Sequence, residues 1–447
     1  MADETTLART TAAAILGIDT LWGGDVMNPS GTGRYIADSW FSDEPLPAAY
    51  THPTAARLRE TGGVGAKAPD VAAVDAYLAA VDVRGAVRDL AAQARALGGL
   101  RGAYLEATAE SLATMWDLAQ ELLGRGEPVP YERCVRCSTG KPPEPSRPEA
   151  KREELAELLA RAGHPSRTPD ELIAAVDGWR AERLVPKKAI KQLADAFIAQ
   201  LDEGTRRHVA PHLPAALREV PRANITFLPI ADAWFSGSMN YVGRARTPDR
   251  RPRYEATYEI NASLQISVPE FAQLVSHEVV PGHVTDFALA QAQYVERRLP
   301  FEATVLTMNT RGAALSEGLA NNAILLAFGV TEVKDLPDED LRIGTLLALL
   351  QDDAKNQSSW LTWKEGVAQA DVAAVLRRDF LCSAERADKL SGAWGRHPLN
   401  GRMYLPAYRA GTEKVAELRR RHPAAKVIPA LYHVDGLVDV VTIDRVL

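Results

Sequence analysis

The chain has 447 residues, enough for two or three ordinary domains or one large helical body around a cleft. Apolar residues make up 46% and charged residues 25%, the balance of a soluble globular protein rather than a fibrous, disordered or membrane-embedded one. A formal net charge of -6 excludes a dominant nucleic-acid footprint, and the basic runs at 244–253 and 419–421 read as solvated loops or helix faces.

At the start, Asp3 and Glu4 stand where a secretory signal peptide carries positive charge, and the apolar stretch AAAILGI is too short to cross a bilayer. No membrane partner is expected. A G-x-G at 30–35 (SGTGRY) follows no strand signal and is not read as a phosphate loop. From about 69 to 124 the pattern is helical: Leu105, Leu112, Met115, Ala119 and Leu122 recur at three- and four-residue steps. The three cysteines, Cys134, Cys137 and Cys382, are an odd and sparse set that points to a reducing, cytoplasmic setting. Cys134-x-x-Cys137 has no second pair to complete a zinc knuckle, so it is expected as free thiols in a loop. The Pro-rich STGKPPEPSRPEAKREE reads as a linker, with helices expected at 150–163, 169–182 and 186–202.

Near Ile225 the texture changes. NITFLPIADAWFSGSMNYVG and RYEATYEINASLQISV are rich in aromatic and β-branched residues and broken by Gly and Pro, which predicts short strands. Helices are predicted again at 283–297, 313–328, 338–364, 370–377 and 403–420, while the final AKVIPALYHVDGLVDVVTIDRVL fits strand or helix. The expected division is a helical region at 1–215 covering a cleft and a catalytic region at 216–447. The fold class is mainly α, with one small sheet just before SHEVVPGHVTDF; an edge strand there could take up an extended peptide.

That stretch carries the chemistry. A catalytic zinc takes three protein ligands and keeps one position for water. His277 and Glu278 supply a ligand beside a general base, but the second histidine is six residues on rather than four. On a regular helix, six residues rotate about 120° away from the first position, against about 40° for four. Pro281 lacks the N–H that would bond back to His277, and Gly282 tolerates unusual backbone angles. The helix can therefore open between Val280 and His283 and resume with both imidazoles on one side. Glu317, in the otherwise apolar ALSEGLANN, is the expected third ligand, because a carboxylate in such surroundings is costly unless paired or metal-bound.

With His277-Glu278-x-x-Pro281-Gly282-His283, then Glu317-Gly318-Leu319, then Tyr408-x-x-Gly411, the sequence resembles an uncharacterised bacterial family of zincin-like proteins called domain of unknown function 885. The resemblance covers about 220–415. It implies a zincin-like helical metallohydrolase with a deep cleft, His277, His283 and Glu317 as zinc ligands and Glu278 as base. The chain departs from the family pattern at Asp286, Leu319 and Asn356, the last standing where the family often has a histidine.

Other polar residues complete the expectation. His397, Tyr404 and Tyr408 are candidate oxyanion donors, Tyr408 being favoured by the resemblance. Arg402 and Arg409 could hold a substrate carboxylate. Asp286 could orient the His283 imidazole. Asp352, Asp353 and Asn356 form a polar cluster expected to line the cleft, while His52, His164, His208, His212, His422 and His433 are expected to be non-functional. The expected activity is zinc-dependent hydrolysis of an amide bond in a short peptide or amino-acid conjugate; Fe, Co or Mn would accept the same donors. The alternatives are small-molecule tailoring in a biosynthetic pathway and non-catalytic peptide binding.

Overall fold

Helix starts along the chain are set by short polar side chains that take up the first free N–H groups. Asp70, Asp82, Thr168, Ser267, Thr310, Asp338 and Ser383 each accept from the third residue onward. The computed structural model describes residues 4–28, 36–230, 237–261 and 265–447; the SGTGRY stretch and part of the first predicted strand segment lie outside them.

The protein is mainly helical with a small three-stranded sheet. The first helix, Glu4–Leu21, is buried along Leu7, Ile15, Leu16, Ile18 and Leu21 and leads to Trp22, whose indole N–H donates to the Met115 carbonyl. The sequence reading treated this segment only as too short for a membrane; it is a core helix. Among the described residues no helix is long and apolar enough to cross a membrane. The helical stretch near 69–124 is three helices: Val71–Ala80, Val83–Leu97 and Gly99–Leu122. Most buried apolar side chains from Leu7 to Ile443 form one cluster, and a second, smaller one gathers Leu361, Val372, Leu376, Phe380 and Leu390. Buried and half-buried polar pairs tie early helices to late ones, among them Arg402–Glu121, Arg180–Glu270 and Tyr131–Ser359.

Two expectations are corrected, and one left open is decided. Cys134 and Cys137 sit on a helix, Tyr131–Thr139, with both thiols buried and pushed up to about 12 and about 11 by burial. The predicted helix at 338–364 runs as α-helix only over Glu339–Ser359 and ends in a wider π turn, Trp360–Lys364. The ambiguous end forms a helix, Ala424–Leu431, and a terminal 3-10 turn.

In the sheet, β3 (Ala256–Asn261) is central, with β1 (Ile225–Ile230) parallel on one side and β2 (Gly237–Tyr241) antiparallel on the other. Strand β2 is an edge. Tyr241 stacks on Phe287 and donates its O–H to Gln291, which seats this edge against the helix that follows the Pro-Gly pair.

Candidate metal centre

The helix Val268–Glu278 begins with a reciprocal cap: Ser267 Oγ accepts the Glu270 N–H (3.4 Å) and donates to Glu270 Oε2 (2.7 Å), with Pro269 in the first turn. Its last turn carries His277 and Glu278. There the regular ladder stops. The Val280–Pro281 peptide bond is cis. Gly282 N–H reaches back six residues to the Ser276 carbonyl (3.0 Å), and Thr285 N–H does the same to Val279 (3.2 Å). A Cβ on Gly282 would stand 1.9 Å from the His277 carbonyl oxygen, so only glycine fits. The next helix, His283–Val295, starts at the second histidine. The two imidazoles end with ring centroids 4.8 Å apart and planes at 89°. Tyr432 donates its O–H to the Pro281 carbonyl (2.7 Å), holding the bend from the C-terminal segment.

Glu317 comes from the helix Arg311–Asn321. Its Oε2 is 3.5 Å from His277 Nε2, and its Oε1 is 3.8 Å from His283 Nε2. One ligand atom from each of the three residues lies within 4.8 Å of the others. A tetrahedral zinc with bonds of about 2.0–2.1 Å needs ligand-to-ligand edges of about 3.3 Å; the two histidine–carboxylate distances approach this, while the widest separation, within 4.8 Å, would have to narrow on binding. His277 Nδ1 donates to Asn321 Oδ1 (2.8 Å), which leaves the Nε2 lone pair toward Glu317. Burial, then the neighbouring His283, hold His277 well below the usual histidine range. Burial pushes the Glu317 carboxyl up to about 7, against the pull of Lys355 and of the Tyr404 hydroxyl that donates to Oε1. Glu317 Oε2 is buried without a hydrogen-bond partner among the described residues. Two facing acceptor atoms in a buried place fit a cation. A two-histidine, one-carboxylate set suits zinc, and Fe, Co or Mn accept the same donors.

Glu278 lies beside this cluster on the wall of a cavity of about 220 Å³, lined also by Gly237, His277, Asn321, Asp352, Lys355 and Tyr408. Its Oε2 accepts the backbone N–H of Met239 on the edge strand β2 (3.1 Å). Tyr404 and Tyr408 pack edge to face, 4.9 Å between centroids. Burial and the nearby Glu317 raise the Tyr408 hydroxyl well above its usual range, so it stays a donor. Lys355 Nζ sits 3.2 Å from the Tyr408 ring centroid and pairs with Asp352 (3.0 Å).

Other predicted residues are not brought to this cavity. His397 Nδ1 accepts the N–H groups of Leu399 and Asn400, a turn cap, and burial pushes the imidazole down to about 4. Arg402 is held by both oxygens of Glu121 and stacks over Trp363. Arg409 pairs with Glu413 and donates to the Pro145 carbonyl, while Asn356 donates to Glu144 and Ser146. Asp353 pairs with Lys151. Asp286 is linked to His283 through Ser316, whose Oγ is 3.3 Å from His283 Nδ1 and 3.5 Å from Asp286 Oδ2. His433, set aside in the sequence, is half-buried with Nε2 4.0 Å from Asp286 Oδ1.

Sequence reasoning missed Asn321, Thr412 and Lys355. Asn321 Nδ2 donates to Thr412 Oγ1 (2.9 Å), and Thr412 contacts Asp352, so a polar chain runs from His277 to Lys355. The available signal was the helical period: Gln351, Asp352 and Lys355 share the cavity face of their helix, whereas Asp353 and Asn356 fall on another.

The fold and site together define a mainly helical protein, with a three-stranded sheet beside a buried His–His–Glu cluster. No protein-family model matches the chain, and no curated protein matches it. Among solved structures it is similar to "the putative lipoprotein from Colwellia psychrerythraea", at 14% identity and a TM-score of 0.53, over 77% of this chain and 60% of that one. It is also similar to "a putative lipoprotein of unknown function from Shewanella oneidensis", at 15% identity and a TM-score of 0.52, over 90% of this chain and 79% of that one. The chain thus spans less than two thirds of the Colwellia protein's length. At these identities the likeness is one of fold.

Two expectations are overturned. The family resemblance read from the HExxPGH, Glu317-Gly318 and Tyr408-x-x-Gly411 segments does not stand, since no family model matches and the structural neighbours are described as a "putative lipoprotein" and a "putative lipoprotein of unknown function". Such short segments record a local bend and a helix contact, not membership. The cytoplasmic setting does not stand either, because both neighbours are described as lipoproteins. Its basis, the sparse cysteines, is weak: all three are buried core residues.

Proposed function

We propose that this protein is a metal-dependent hydrolase that cleaves an amide bond of a short peptide or amino-acid conjugate. The observation that carries the reading is the pairing of a buried three-donor cluster with Glu278 on the wall of the adjoining cavity. A zinc ion held by His277, His283 and Glu317 would supply Lewis acidity toward water and toward a carbonyl oxygen.

The chain's own residues do the rest. Met239 N–H fixes the Glu278 carboxylate, which takes a proton from the attacking water as its oxygen adds to the carbonyl carbon. The Tyr408 hydroxyl donates to the negative charge that develops on the carbonyl oxygen. As the C–N bond breaks, Glu278 returns the proton to the leaving nitrogen. Tyr404 and Asn321 hold Glu317 and His277 in place.

Elemental analysis should find about one zinc per chain. Glu278→Gln should keep that zinc and lose about 10²- to 10⁴-fold in amide hydrolysis on a panel of dipeptides and acyl-amino acids. A folded wild type that takes up no metal sinks the reading; one that binds zinc and cleaves nothing on the panel favours tailoring chemistry.

A further inference from the structure

The cations on the cavity wall are matched one by one with carboxylates, except for one. Arg180 pairs with Glu270 (2.8 Å), Lys355 with Asp352 (3.0 Å) and Lys389 with Glu385 (2.7 Å). Arg386 lines the same cavity and has no carboxylate within ion-pair distance among the described residues; its Nε is buried without an acceptor. The position is built rather than loose. Ser383 Oγ caps the helix by accepting the Arg386 backbone N–H (3.2 Å), and the guanidinium lies over the Trp394 ring at 5.3 Å. Glu278, the other acid on this wall, is already engaged by Met239.

We propose that Arg386 is the residue that recognises a carboxylate on the substrate, which makes the substrate class N-acyl amino acids or short peptides whose free carboxylate adjoins the scissile amide. The class of reaction rests on the hydrolase reading above; the carboxylate contact does not. A planar guanidinium with open donors takes both oxygens of a carboxylate, and a small cavity lined by both Arg386 and Glu278 can meet the anion and the amide of one molecule. In the reaction, water oxygen joins the acyl carbon, the C–N bond breaks and the amino acid leaves with the proton on nitrogen.

The test uses the zinc-loaded protein with N-benzoylglycine and N-benzoylglycinamide, a pair differing in the charge. Calorimetry should show the acid bound about 10- to 100-fold more tightly than the carboxamide. Arg386→Gln should erase that preference with an unchanged melting temperature, and Arg386→Lys should restore part of it. Equal binding of the two compounds, binding of neither, or a preference that survives Arg386→Gln overturns the proposal. Failure of the hydrolase reading looks different: the acid is bound with preference but never cleaved. Cleavage of both compounds without preference leaves that reading standing and removes the role of Arg386.

Discussion

Gly318 and Gly411 touch where the Glu317 helix crosses the helix Leu405–Arg421: a Cβ on Gly318 would stand 2.3 Å from the Gly411 carbonyl oxygen. A Cβ on Gly411 would stand 1.8 Å from the carbonyl of Ala314. The two glycines let the backbones approach, and that approach sets Glu317 beside Tyr404. Gly318→Ala should therefore cost about 1–3 kcal/mol of stability by overpacking. It should also lower zinc content, because Glu317 moves with its helix. Chemical denaturation and metal analysis on one preparation check both.

Asn321 serves His277 and Thr412 at once. Asn321→Leu removes the acceptor that fixes the His277 tautomer, and zinc affinity should fall about 10- to 100-fold. Asn321→Asp keeps the acceptor and should retain most of the affinity. Competition with a chelator of known strength measures the change; equal affinities for all three proteins would show that the contact does not matter.

The bend at Pro281 and Gly282 was legible in the sequence because a missing N–H and a missing side chain are properties of the residues themselves. Glu317 was legible as a lone carboxylate in an apolar helix. Arg402 and Arg409 misled because a free arginine and a paired one read alike. The partner of Arg402, Glu121, lies 281 positions away along the chain. His397 misled for the same reason, since its two backbone donors are fixed only by the turn it caps. Arg386 escaped notice because its distinguishing property is the absence of a partner, which only the folded chain reveals.

Asp19 gives a pH signature remote from the metal centre. It is fully buried, Oδ1 accepts the N–H groups of Ile36 and Ala37, and Oδ2 has no hydrogen-bond partner among the described residues. Burial raises its pKa from 3.8 to about 7. Between those values the unfolded chain is ionised there while the folded one keeps its proton, so this group's contribution falls as pH rises and levels off above about 7. Asp19→Asn keeps an oxygen acceptor without the charge. Its stability relative to wild type should grow from near zero at pH 4 to on the order of 4 kcal/mol at pH 7.5. Urea melts of both proteins at the two pH values provide the comparison; a constant difference would show that Asp19 does not titrate in this range.

Tyr432→Phe removes the hydroxyl that meets the Pro281 carbonyl. Leaving that buried carbonyl bare should cost about 1–3 kcal/mol. If the contact holds the two imidazoles in register, zinc should also dissociate faster, which stopped-flow release into a chelator would record.

The same contact imposes an order on biosynthesis. Tyr432 follows Pro281 by 151 positions, so a nascent polypeptide displays both histidines long before the phenol that clasps their turn has been translated. The proposed cation site is clasped only once Tyr432 has been made, and a fragment cut short ahead of Tyr432 would carry every donor yet lack the clasp.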